Sequence, residues 1–205
     1  MIYLTTLQIL FIVIVPIIVV VGIFLLIKFP ISRLYQKLNF NKYVYHKIYS
    51  IVQNNDYYLI NNYKFSIDET HKILIDHIIF AEKYIFVCVD RYIEGNLAGN
   101  DGNASLILLS KNGDKRYVDN PYLSLCKLLR QLSSVTGIST EMMIGLIIVN
   151  DDCQVRIESK SSQIFLLNRK QLSKLIKTVE QRDINKINPV ELDKAVKFLY
   201  QNKLD

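Results

Sequence analysis

Two short apolar runs carry charged groups that could act together. Ile75-Asp76-His77-Ile78-Ile79 sets a carboxylate and an imidazole in one run, and Ile85-Phe86-Val87-Cys88-Val89-Asp90-Arg91 ends the next with a second carboxylate and a guanidinium. Carboxylates gathered from neighbouring strands can hold Mg²⁺ beside a phosphodiester, with a lysine orienting or deprotonating water. The spacing works against that chemistry here. Strand alternation sends Asp90 to the face opposite Val89 and Arg91. Arg91 cannot give up a proton at physiological pH. One carboxylate beside an arginine is a poor magnesium site, and the expected outcome is a structural Asp76–Arg91 ion pair if the two strands are adjacent. His77 reads as a strand residue satisfied by a hydrogen bond, and Glu94 as a residue of a solvated turn. His46, His71 and His77 are too scattered to join Cys88, Cys126 and Cys153 in a zinc site. The odd, widely spaced cysteines read as reduced, mostly buried thiols.

The surrounding pattern predicts an α/β domain. Strands are expected over Tyr57–Phe65, Lys72–Phe80, Tyr84–Asp90, Ser105–Ser110, Met143–Asn150 and Gln163–Leu167. Ala81-Glu82-Lys83 reads as a tight hairpin turn and Asn112-Gly113-Asp114 as another turn. Apolar residues at helical spacing run from Ile31 to Asn54, with Asn39 and Asn41 as interruptions and Asn54-Asn55-Asp56 as the stop. Asn120-Pro121 opens a helix that ends near Gly137, because Asn caps free amides and Pro suits the first helical position. Asn168 is placed to cap a further helix, and Asn188-Pro189 repeats the opening signal with Glu191 placed for a capping box.

Ahead of this domain, Ile9 to Ile27 carries no charge and is nearly all Ile, Val, Leu or Phe. At about 1.5 Å per residue such a run approaches the roughly 30 Å hydrocarbon core, and Pro16 is tolerated in a spanning helix. No Lys or Arg precedes it and no small-x-small site follows, which argues against a cleaved signal peptide. A retained transmembrane anchor is therefore expected over residues 1–28. Lys28, Arg33, Lys37, Lys42 and Lys47 follow with no acidic residue before Asp56. The positive-inside rule then puts the rest of the chain in the cytoplasm, with those five residues against anionic lipid headgroups.

The chain has 205 residues, half of them hydrophobic, and a formal charge of +6. Its low Gly and Pro content and 11% aromatics exclude a disordered protein. Removing the five juxtamembrane cations from the 25 basic residues leaves 20 against 19 acidic ones, so the remainder is nearly neutral. One local surplus persists in Arg156, Lys160, Arg169, Lys170, Lys174, Lys177, Arg182 and Lys186, which reads first as a solvated helix face and second as a binding patch. Tyr43, Tyr45, Tyr49, Tyr57 and Tyr58 stand near basic residues and read as core or membrane-interface aromatics ahead of base-stacking groups.

The Ile-Asp-His strand, the strand after it, Gly95-x-x-x-Gly99 and Asn120-Pro121 occur in the order that resembles a NERD (nuclease-related) domain. That family resembles the restriction-endonuclease-like PD-(D/E)XK superfamily, and the likeness spans roughly residues 41–167. It implies one Asp from one strand and the Glu and Lys of E-x-K from the next. Asp76 matches the Asp, Val89 falls on the Glu position, Arg91 on the Lys position, and Ser124 where the family has Gln in N-P-x-x-Q. No acidic residue occurs on the first helix, where the family tends to have one. Only Asp76 could contribute to a metal site, so no metal or cofactor is expected.

The expected architecture is a restriction-endonuclease-like mixed sheet flanked by helices and preceded by one N-terminal transmembrane helix. Its parts are an anchor (1–28), a basic juxtamembrane helical segment (29–54), a nuclease-related domain (41–167) and C-terminal helices (168–205). The expected function is a catalytically inactive module on the cell membrane, binding nucleic acid or a protein. The alternative is an active Mg²⁺-dependent nuclease in which a bulge moves Asp90 or Glu94 into the site.

Overall fold

The structure is a computed structural model that describes residues 6–66 and 72–203, with side chains left aside at 6–13, 26–27, 29–30, 66 and 72–73. His71 lies outside the described residues. The chain divides into two compact units, Met1–Phe40 and Asn41–Asp205.

The first unit contains helix α1 (Thr6–Leu38). It ends where Asn39 turns back, its side-chain amide and backbone N–H both donating to Tyr35 O at 2.9 and 3.0 Å. Lys28 lies 5.5 Å from the Phe24 ring, and Arg33 and Lys37 are exposed. The expected span from Ile9 to Ile27 falls partly on residues whose side chains are not described. Among the residues whose side chains are described, the large apolar ones from Ile14 to Leu25 are exposed. Among the described residues no helix is long and apolar enough to cross a membrane. That finding corrects the expected N-terminal transmembrane helix and, with it, the single-pass placement in the cell membrane.

The second unit is α/β. Helix α2 (Phe40–Asn55) buries Val44, Ile48, Ile51 and Val52 at helical spacing and stops where Asp56 takes φ 56°. Strands β1 (Tyr58–Ser66), β2 (Lys72–Phe80) and β3 (Ile85–Arg91) follow. Then come β4 (Asn96–Asn100), β5 (Ser105–Leu109) and β6 (Lys115–Asp119). Helix α3 (Pro121–Thr136) leads through a 3₁₀ turn to β7 (Met143–Val149). Strands β8 (Val155–Glu158) and β9 (Ile164–Asn168) precede a 3₁₀ turn at Arg169–Gln171, helix α4 (Leu172–Glu180) and helix α5 (Pro189–Gln201).

These strands form two sheets, where the sequence predicts one. The first has the order β1-β2-β3-β7-β9, antiparallel from β1 to β3 and parallel from β3 through β9. The second has the order β6-β5-β4-β8. Within it β4 is antiparallel to β5 and parallel to β8. The chain thus passes twice from the first sheet to the second, from β3 to β4 and from β7 to β8, and both partners are parallel neighbours on each side. Ile78, Phe80, Ile85, Val87, Met143 and Ile147 join Leu125, Leu129 and Leu132 of α3 and Leu199 of α5 in the main core. Strand β7 is buried along its whole length, as parallel central strands are.

Helix α3 starts as the Asn-Pro signal predicts. Asn120 Oδ1 accepts the Tyr122 N–H at 3.0 Å, and Gly137 closes the helix at φ 73°. At α5, Asn188 Oδ1 accepts the Val190 N–H at 3.0 Å.

Candidate functional site

The candidate site grows out of a break in alternation on β2. The β2–β3 register runs from Phe80↔Ile85 to His77↔Cys88 and stops there. On the other side, β1 pairs Asn61↔His77 and Tyr63↔Ile75 and leaves Asn62 and Asp76 between them without a bridge. Asn62 has φ 48°, a left-handed conformation that asparagine tolerates better than most residues. Ile75 and Ile78 consequently belong to the same core cluster although they stand three positions apart. A regular strand forbids that.

The break turns Asp76 toward β3. Its Oδ2 accepts the Asp90 backbone N–H at 2.8 Å. Asp90 sends its own carboxylate to the α2 face, where Oδ2 lies 3.1 Å from His77 Nε2. His77 Nδ1 is 2.7 Å from Asn61 Oδ1, and the Tyr45 ring of α2 stacks on the imidazole at 6.4 Å. With Nδ1–H donating to Asn61, His77 Nε2 and Asp90 Oδ2 share one proton between them. Asp90 Oδ1 is buried without a partner.

Burial decides what this cluster can do. The His77 and Asp90 side chains are 4% and 0% exposed, so no substrate reaches them. Burial raises the Asp90 carboxyl above the ordinary range; the hydrogen bond from His77 opposes this, and the Asp76 charge adds to it. Burial also pushes the Cys88 thiol well up, with Asp90 and Asp76 adding negative charge, so Cys88 is no nucleophile.

The other expected site positions lie elsewhere. Val89 pairs with Ile147 and packs, half-buried, against the α3 core. Arg91 is exposed and donates from Nη1 to Asp90 O at 3.1 Å. The expected Asp76–Arg91 ion pair does not form, because Asp76 is taken up by the Asp90 N–H. Arg91 instead borders a cavity of about 180 Å³ between the sheets, lined by Ile93, Leu97, Leu108 and Val118 among others. Ser124 is exposed on the first turn of α3, with its Oγ donating to Pro121 O at 3.0 Å. Lys42 is exposed on α2 and Lys47 half-buried. Among the described residues no group of three or more His, Cys, Asp and Glu is placed to hold a metal ion. Within the cluster itself, Asp76 Oδ2 and Asp90 Oδ2 already serve an amide and an imidazole.

The sequence reading misses Asn61 and Tyr45 as the partners of His77. The sole signal was the pairing of β1 with β2, which places Asn61 opposite His77. Nothing in the local pattern around Tyr45 indicates that α2 covers that point.

Asp90 carries a pH dependence whose sign follows from its raised carboxyl. The folded chain holds that proton more tightly than the unfolded chain does. Its stabilising effect is therefore complete below the unfolded value of about 3.9 and is lost as pH rises through the folded value. Asp90→Asn removes this titration. The stability of the variant minus that of the parent should rise between pH 4 and pH 8, measured by urea unfolding of the full chain. The half-buried Glu180 carboxyl is also raised, mainly by burial, but it is common to both proteins and cancels in the difference. A difference that stays flat or falls with pH would refute the assignment.

The chain matches no protein-family model, no curated protein and no solved structure.

Proposed function

We propose that this chain is a catalytically inactive nuclease-like domain that binds nucleic acid. The observation that carries the reading is the fate of the expected catalytic positions. Asp76 on β2 and Val89–Arg91 on the adjacent antiparallel β3 occupy the two strands that the nuclease-like pattern uses. Val89 faces the core and offers no oxygen, and the nearby acid Asp90 is sealed under Tyr45 with His77. A divalent cation needs several oxygen ligands at once, and one strand-bound carboxylate does not replace its water shell.

The test separates binding from cleavage. Full-length protein with Mg²⁺ or Mn²⁺ should leave single- and double-stranded DNA intact while retaining them in an anisotropy titration. Metal-dependent cleavage that disappears in Asp76→Ala would overturn inactivity in favour of an active nuclease. Absence of any oligonucleotide binding at low salt would remove the nucleic-acid part.

A further inference from the structure

Four of the eight residues in the basic surplus seen in the sequence, Arg169, Lys170, Lys174 and Lys177, fall on α4 and the turn before it. Leu172, Ile176 and Val179 are the buried residues of α4. Lys170, Lys174 and Lys177, spaced by four and three, stand on the side of the helix opposite that apolar stripe, and all three are exposed. Successive members lie roughly 4.5–6 Å apart along the axis. Arg169 begins the row. Asp151 holds its guanidinium at 2.7 Å, and it lies 5.8 Å from the Tyr43 ring of α2.

A merely solvated helix face alternates cations with acids, because like charges at these spacings repel. Among the described residues the single acid in contact with this row is Asp151, at its start. Asp151 accepts the Lys170 N–H at 3.2 Å and lies 3.9 Å from its Nζ. Among the described residues no carboxylate pairs with Lys174 or Lys177. Of the four cations, Arg169 and Lys170 share the single carboxylate of Asp151, and Lys174 and Lys177 have none among the described residues. The row also begins where β9 ends, at Asn168, level with the end of β7 at Val149.

We propose that Arg169, Lys170, Lys174 and Lys177 form the contact surface for a nucleic-acid backbone, gripping phosphates without reading bases. This rests on the nucleic-acid reading above. The surface lies on the side of α4 opposite its buried residues and not at the Asp76–Arg91 strands. Arg169 is preorganised by Asp151 and Tyr43, and the three lysines supply exposed charge to the phosphates.

The test compares full-length parent with the triple variant Lys170→Gln, Lys174→Gln and Lys177→Gln. The probes are a labelled 20-nucleotide single strand of mixed sequence, its duplex, and phosphatidylserine vesicles. The triple variant should bind both oligonucleotides about tenfold or more weakly, and the slope of log affinity against log salt should fall by about two to three. The triple Lys→Arg variant should bind like the parent. Lys115→Gln with Arg116→Gln, on exposed β6, should change binding less than about twofold, which sets aside a general charge effect. Unchanged thermal midpoints show that the exposed substitutions leave the fold intact. A parent that binds no oligonucleotide removes this inference together with the function above. A parent that binds while the Gln triple variant binds equally removes only this surface. Loss of vesicle binding in the triple variant with no loss of oligonucleotide binding also overturns it.

Discussion

Gly95→Ala should destabilise the second unit by about 3 kcal/mol or more, because two independent costs meet at that position. Gly95 has φ 140°, a conformation that side chains rarely adopt. A Cβ there would also stand 2.3 Å from Leu109 O and 3.2 Å from Leu108 Cδ1. The oxygen belongs to a strand, so it cannot swing aside as a side chain can. Leu109 pairs with Asn96, the first residue of β4, so relief of the clash must prise β4 from β5. Gly113 separates the two costs. It has φ 88° and open space where its Cβ would be, so Gly113→Ala should cost only the conformational part, about 1–2 kcal/mol. Urea unfolding of both variants reads the difference. Equal losses would mean that the approach to Leu109 relaxes without effect.

Asn120→Ala should cost about 3 kcal/mol, and Asn188→Ala only about 1 kcal/mol, although each stands in an Asn-Pro helix start. Both side chains cap their helix by accepting the N–H two residues on. Asn188 is exposed, and the cap is all that it contributes. Asn120 is buried, and its Nδ2 also donates to Asn103 O at 2.6 Å and Asp101 O at 2.9 Å. Its removal leaves those carbonyls short of a partner in the β4–β5 loop. Asn120→Asp keeps the capping oxygen and loses the donor, so its cost should fall between the two. Thermal unfolding of the three variants checks the order. A deficit in Asn120→Ala no larger than that in Asn188→Ala would reduce Asn120 to a simple cap.

The contrast shows where sequence reading stops. The Asn-Pro signal identifies both helix starts because it acts on the neighbouring amides. Whether the same asparagine also ties down a loop depends on what packs beside it. Strands β2, β3 and β7 are legible because their apolar runs are long and bounded by turns. Strands β4, β6 and β8 are not. Asn96-Leu-Ala-Gly-Asn100 has weak strand propensity, Lys115–Asp119 is charged and exposed, and Val155–Glu158 is only a half-buried alternation. These three owe their form to pairing with one another and with β5, so the second sheet goes unseen. At the candidate site, alternation along β3 separates Asp90 from Val89 and Arg91 correctly. It fails on β2, because the turn of Asp76 depends on Asn62 in the neighbouring strand. The apolar N-terminal run was the loudest signal of all, yet the helix it forms shows no membrane-spanning stretch among the described residues.

The double passage between the sheets also has a mechanical meaning. Two sheets joined by one strand can swivel about it. Here β3→β4 and β7→β8 run side by side, and Asn150 Oδ1 accepts the Ile93 N–H at 2.7 Å, tying the two links where they leave the first sheet. Asn168 Nδ2 in turn donates to Asn150 O at 2.8 Å and Cys153 O at 2.9 Å, bracing the second link against the end of β9. The joint therefore behaves as a ribbon with two rails and not as a string. It resists torsion, and any bending must happen in both rails together at residues 92–95 and 150–154, with the return link from β8 to β9 at residues 159–163 following.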